Sequence, residues 1–183
     1  YDQRTTIKAF EVRGFGNTVE ANVISAGNPV YLDFMFYGCI NLERVTVSGN
    51  HYEDTGTFDT SNATSMASMF EGCSKLTTPV LSSTANVSNM ASMFAGCTKL
   101  NNPSLSWLDT SHATFMAGMF QNCTSLQTLT LPSTFTTTSV RYMQNMFSGC
   151  TNLTSLDLAQ IKTNGAQNLQ YMFSGCAKLQ TLT

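Results

Sequence analysis

Six cysteines carry most of the reactive potential of this chain, and they stand in a repeated order. Each closes the pattern Met-Phe-x-x-Cys: Met35-Phe36 with Cys39, Met69-Phe70 with Cys73, Met93-Phe94 with Cys97, Met119-Phe120 with Cys123, Met146-Phe147 with Cys150, and Met172-Phe173 with Cys176. A zinc site would want close pairs such as Cys-x-x-Cys, and none occurs. A disulfide framework would want Cβ vectors that face one another, whereas equivalent residues of stacked repeats point the same way. The six therefore read as a column of buried free thiols, acting as small apolar groups. His51 and His112 are the two histidines, and neither has a nucleophile and an orienting acid set beside it. His112 takes the slot that holds Asn62 in another unit, which marks it as an exposed turn residue. Asp59 and Asp109 open equivalent turns, but Ser83 or Thr84 stands between them, so no aspartate column forms for calcium. No catalytic, cofactor-binding or metal-ligating set emerges, and the chain is not read as an enzyme.

The elements that place these residues repeat with them. Successive cysteines are 34, 24, 26, 27 and 26 residues apart. Met143, Met146 and Phe147 stand at i, i+3 and i+4, as do Met66, Met69, Phe70 and Met116, Met119, Phe120, which predicts one apolar stripe on a short helical turn. Leu32 and Leu169 replace the first Met in the end units. After each Cys comes x-x-Leu and then an alternating segment such as Leu153, Leu156, Leu158, the signature of a short half-buried strand. Pro79 and Pro103 take the middle position in two units, which a strand tolerates where that N–H has no acceptor to meet. A Thr/Ser/Asn stretch follows, as in "DTSNATSM" from Asp59 and "DTSHATFM" from Asp109; such side chains suit a helix start, and Gly72, Gly96, Gly149 and Gly175 suit a left-handed stop. One unit cannot bury its own Met, Phe, Cys and Leu. Stacked units can, with strands spaced ~4.8 Å apart in a parallel ladder.

The combined pattern M-x-x-M-F-x-G-C-x-x-L-x-x-L-x-L, with "DTSNAT" ahead of the next Met, resembles the 26-residue repeat of bacterial surface proteins. That family includes mycoplasma lipoproteins and is related to the BspA-like leucine-rich repeats. The resemblance runs from about Leu32 to Thr183 and implies an α/β, right-handed, leucine-rich-repeat-like solenoid of about six coils. Short parallel strands would form a ladder and alternate with short helices. It also implies a secreted or surface-attached module engaged in adhesion or host contact, with a host or neighbouring-cell protein or glycan as partner; an architectural spacer is the alternative. Residues 1–30 depart from the repeat, and "TTIKAFEV" and "TVEANVISA" read as a strand-rich N-terminal cap. Residues 31–183 hold six repeats, the last truncated at "LQTLT"; a strand open there would favour end-to-end self-association.

Composition narrows the partners. Charged residues make up 11% of the chain and apolar ones 42%, so Thr, Ser and Asn supply the polar surface. A net charge of −2 with nine scattered Lys and Arg offers no stripe for nucleic acid, and no apolar run approaches the ~18 residues of a membrane span. Sequons at Asn62, Asn86, Asn122 and Asn152 are what chance gives in so Asn- and Thr-rich a chain. Thr128 with Thr130 and Thr181 with Thr183 share the spacing of ice-binding arrays, but Asp157 and Val80 interrupt the column. The long first interval holds about eight extra residues around "SGNHYEDTG", Ser48 to Gly56, and solenoid insertions map to surface loops. His51, Tyr52, Glu53 and Asp54 in that loop, with Trp107, Phe115 and Tyr142 as exposed aromatic contacts, are the candidate ligand-binding residues. The core assignment makes a chemical prediction: Cys97 and Cys123 should react with a thiol reagent only after denaturation, and rapid labelling of the native protein would contradict it.

Overall fold

The computed structural model describes residues 18–20, 30–46 and 60–183. Seven short strands occur among them: β1 (Thr18–Glu20), β2 (Val30–Tyr31), β3 (Arg44–Thr46), β4 (Ala63–Ser65), β5 (Thr78–Pro79), β6 (Ser155–Leu156) and β7 (Thr181–Leu182). All pairings are parallel: β1 with β3 with β5, β2 with β4, and β6 with β7. Single bridges extend the second ladder from Ser65 through Asn89, Phe115 and Tyr142 to Asn168. The described residues thus form a stack of coils in which the ladder positions sit over their counterparts one repeat away. The rest of the N-terminal stretch read as a cap, residues 1–17 and 21–29, lies outside the described residues.

The expected short helices are absent from the described residues; the Met-Phe segments are consecutive turns. The coil from Met66 to Cys73 shows why. Ser68 has φ 56° and Gly72 φ 75°, and two left-handed residues four apart break any α-helix. Its amides then divide their work. Met69, Glu71 and Cys73 donate to carbonyls three residues back (Met66, Ser68, Phe70; 3.3, 3.2 and 3.0 Å). Met66, Ser68, Phe70 and Gly72 donate instead to Asn89, Ala91, Met93 and Ala95 of the next coil, at 2.7–2.9 Å. Helical i−4 bonding would leave the coils nothing to stack with. The stripe at i, i+3, i+4 is still buried, because successive turns of about three residues return side chains to one face almost as a helix does.

Burial follows the repeat. Phe36, Phe70, Phe94, Phe120, Phe147 and Phe173 form one column with ring centroids 5.4, 5.6, 5.5, 5.7 and 5.6 Å apart and planes within 14°. Such aromatic pairs contribute ~0.5–1.5 kcal/mol each beyond the area they bury. Cysteine runs beside them. The Sγ of Cys73, Cys97, Cys123, Cys150 and Cys176 donates to the carbonyls of Phe36, Phe70, Phe94, Phe120 and Phe147 respectively, at 3.0–3.2 Å. All six cysteines are free thiols. The column is not buried throughout: Cys39 is exposed and Cys176 half-buried, because they belong to the end coils described.

The Thr/Ser/Asn stretch does more than start a turn. Thr60, Thr84, Thr110 and Thr137 are buried, and each hydroxyl serves both backbone groups of one residue in the next coil. Thr84 Oγ1 donates to Asp109 O (2.7 Å) and accepts from Asp109 N (2.8 Å). Thr110 does the same with Thr136 (2.7 and 2.7 Å), and Thr137 with Lys162 (2.6 and 2.6 Å). Thr60 donates to Ser83 O and accepts from Ser83 N. These hydroxyls were expected at helix starts; they act across coils.

Two outcomes follow. Thr110→Val keeps the shape but leaves the Thr136 amide and carbonyl unpaired, so it should cost about 2 kcal/mol or more in urea unfolding, with Thr110→Ser recovering most of the loss. Burial, reinforced by neighbouring thiols, pushes Cys73 and Cys150 up to about 12. The fold therefore favours the neutral thiol. That stabilisation is fully present below the ordinary thiol pKa of ~8.5 and is lost as pH rises toward the raised values. Stability should fall across that alkaline window, and Cys150→Ala should make the fall shallower; an unchanged slope would contradict the linkage.

Candidate functional site

Alternation along the second ladder determines what faces out. Leu32, Met66, Met90, Met116 and Met143 are buried, so their predecessors Tyr31, Ser65, Asn89, Phe115 and Tyr142 are directed to the opposite side. Tyr31 is 64% and Phe115 44% exposed. The Phe115 and Tyr142 rings stack at 5.1 Å with 7° between planes, a second aromatic column on the outside of the solenoid. The column is interrupted at two coils, where Ser65 and Asn89 stand in place of rings. A groove of about 510 Å³ opens there, lined by Tyr31, Asp33, Ser65, Ser88, Asn89 and Phe115.

The floor of the groove is polar and held in place. Asp33 Oδ1 accepts from the Ser65 hydroxyl and from Ala67 N (2.7 Å), which joins the first two coils and leaves Oδ2 as an acceptor. Asn89 Oδ1 accepts from Ala91 N (3.1 Å), an Asx turn that fixes the side chain and leaves its Nδ2 as a donor. Ser88 Oγ donates to Thr64 O at 3.1 Å. Among the described residues lining the groove, Asp33 is the single charged one. The surface thus combines ring faces, hydroxyls, one amide and one carboxylate. It can stack and hydrogen-bond a neutral ligand.

Burial raises the pKa of Cys97, Cys123 and Cys176 as well as of Cys73 and Cys150, which keeps them as thiols at neutral pH. Among the described residues no three His, Cys, Asp or Glu side chains group as a metal site would, and no helix is long and apolar enough to cross a membrane. His112 is exposed, with Nδ1 3.3 Å from Ser111 Oγ.

The candidate residues divide three ways. Phe115 and Tyr142 are brought together on the outer column. Trp107 is half-buried and does not line the groove: its Nε1–H donates to Pro79 O at 3.0 Å, and its ring lies 6.4 Å from that of Phe94. It falls where its coil, from Leu105 to Thr110, is two residues longer than the preceding one, from Leu81 to Thr84. The extra length folds back over the core. His51, Tyr52, Glu53 and Asp54 lie outside the described residues. Tyr31, Asp33, Ser65 and Asn89 were not anticipated. Aligning the residue before the first Met or Leu of each unit would have collected Tyr31, Ser65 and Asn89 with Phe115 and Tyr142.

The solenoid has counterparts among solved structures. A leucine-rich repeat protein of T. pallidum (TpLRR) superposes with a TM-score of 0.63 at 23% identity, covering 98% of this chain and 81% of that one. A leucine-rich repeat protein from Bacteroides ovatus aligns over all of this chain and 53% of its own length, at 19% identity and a TM-score of 0.47. The first likeness establishes a leucine-rich-repeat type of fold. No curated protein matches the chain. The family described as "Mycoplasma protein of unknown function, DUF285" matches residues 30–132 and 108–182, most of the sequence, and the chain belongs to that family.

Proposed function

We propose that this protein is a non-catalytic binding module, secreted or held at the cell surface, that recognises a protein or glycan partner through the outer face of its second ladder. The observation that carries the reading is the groove between Tyr31 and Phe115, where exposed rings flank a polar floor fixed by hydrogen bonds. A rigid array loses little conformational entropy on binding, so several modest contacts can add up. The surface or secreted placement, and the role in adhesion or host contact, come from the surface-protein repeats that the sequence resembles. Ser48 to Gly56 is a second candidate contact, on the strength of its length and composition.

The test is a binding screen of the purified protein on glycan and extracellular-matrix protein arrays. It is run beside Phe115→Ala/Tyr142→Ala and beside a variant with Ser48–Gly56 shortened to the length of an ordinary repeat. A partner bound by the native chain and lost in the double variant is the expected result. Loss only in the shortened variant would move the site to the loop. Absence of any partner would favour the spacer.

A further inference from the structure

We infer that the groove is a slot for two consecutive hexopyranose rings of an uncharged oligosaccharide laid along the solenoid axis; this rests on the binding-face reading above. The argument begins with the gap in the outer aromatic column. Tyr31 and Phe115 are three coils apart, about 14 Å at the usual strand spacing. Ser65 and Asn89 occupy the two ladder positions between them, so among the described residues the column lacks two rings above a short-chain floor. Tyr142 supports Phe115 from the far side, 5.1 Å away, leaving the other face of Phe115 toward the gap. A pyranose ring is about as long as one coil is thick, so successive sugars would keep step with successive coils.

The floor selects the chemistry of the occupant. A purely apolar ring, such as a partner's Phe side chain, would cover Asp33 Oδ2 and Asn89 Nδ2 without giving either a partner, a costly burial for the charged group. A sugar chain offers both kinds of surface: ring C–H groups that abut Tyr31 and Phe115 at the two ends of the slot, and hydroxyls toward the floor. Asp33 Oδ2 accepts from a hydroxyl, and Asn89 Nδ2 donates to one. Ligand charge is constrained as well. Among the described residues no cation lines the groove and one carboxylate does, which disfavours phosphorylated, sialylated or uronic-acid sugars.

The experiment fills the slot without touching its walls. Asn89→Tyr places a ring where Phe115 and Tyr142 show that this ladder position accepts one, so folding is expected to survive and is checked by an unchanged urea midpoint. Neutral tri- and tetrasaccharides (cello-, manno- and N-acetylglucosamine series) and a sialylated control are titrated against the full chain, with saturation-transfer NMR reporting the contacted protons. The expected result is binding of at least one neutral series and none of the control. Affinity should fall about tenfold or more in Asn89→Tyr. Asn89→Ser, which keeps the slot open, should retain more than Asn89→Tyr. Equal binding by Asn89→Tyr, preference for the anionic sugar, or no neutral sugar bound would each overturn the proposal. A protein partner still lost in Phe115→Ala/Tyr142→Ala would, in the last case, leave the binding-face reading standing.

Discussion

Everything in this molecule depends on one register: the alternate amides of each Met-Phe turn donate to the next coil and not along their own segment. A coil bonded that way must superpose on its neighbour residue by residue. Like then meets like. Phe stacks on Phe, each buried Thr hydroxyl meets the same backbone site one coil on, and the thiols from Cys73 to Cys176 each meet a Phe carbonyl. Phe70 O shows how closely the parts interlock, since it accepts both from Cys73 N of its own coil (3.0 Å) and from Cys97 Sγ of the next (3.2 Å). A Val in place of Cys would fill the space but leave that carbonyl with one partner fewer.

The same constraint explains which parts were legible in the sequence. Repeat length, the inward Met, Phe and Leu positions and the free thiols could be read because stacking demands the same residue type at each coil. The turns could not, because the spacing i, i+3, i+4 serves a helix and a chain of three-residue turns equally. What separates the two is a left-handed residue four before each Gly or Asn122, and Phe34, Ser68, Ser92, Asn145 and Tyr171 hold φ of 55–59° there without the glycine that would advertise it. At this site only Gly118 does so. The Thr ladder was hidden for a related reason: Thr before a turn is an ordinary cap, and its cross-coil partner is a backbone group with no signature.

The outward ladder positions were the hardest to read and matter most for function. Tyr31, Ser65, Asn89, Phe115, Tyr142 and Asn168 follow no single residue type, because stacking requires only that they point away from the core. A solenoid therefore separates its obligations. The inward column is fixed by packing and the outward column is free to vary, so a departure from regularity there, such as two polar residues between aromatic ones, has no explanation in the core. Trp107 illustrates the converse. It looked like a contact residue, yet the local lengthening of its coil turns it onto Pro79 and Phe94 and gives it a packing role.

Six free cysteines are unusual for the extracellular placement proposed above, where paired thiols are the norm. The ladder geometry resolves this. Oxidation starts from the thiolate, and burial raises the pKa of each internal thiol so that the thiolate is scarce in the folded protein. Bridging Cys97 to Cys123 would also remove the S–H that each gives to a buried Phe carbonyl, at Phe70 and Phe94. Both carbonyls would lose a donor, and two residues built to point in parallel would have to turn toward each other. The fold thus protects its thiols by keeping them neutral and occupied. The exceptions lie in the end coils described, where Cys39 is exposed and Cys176 half-buried.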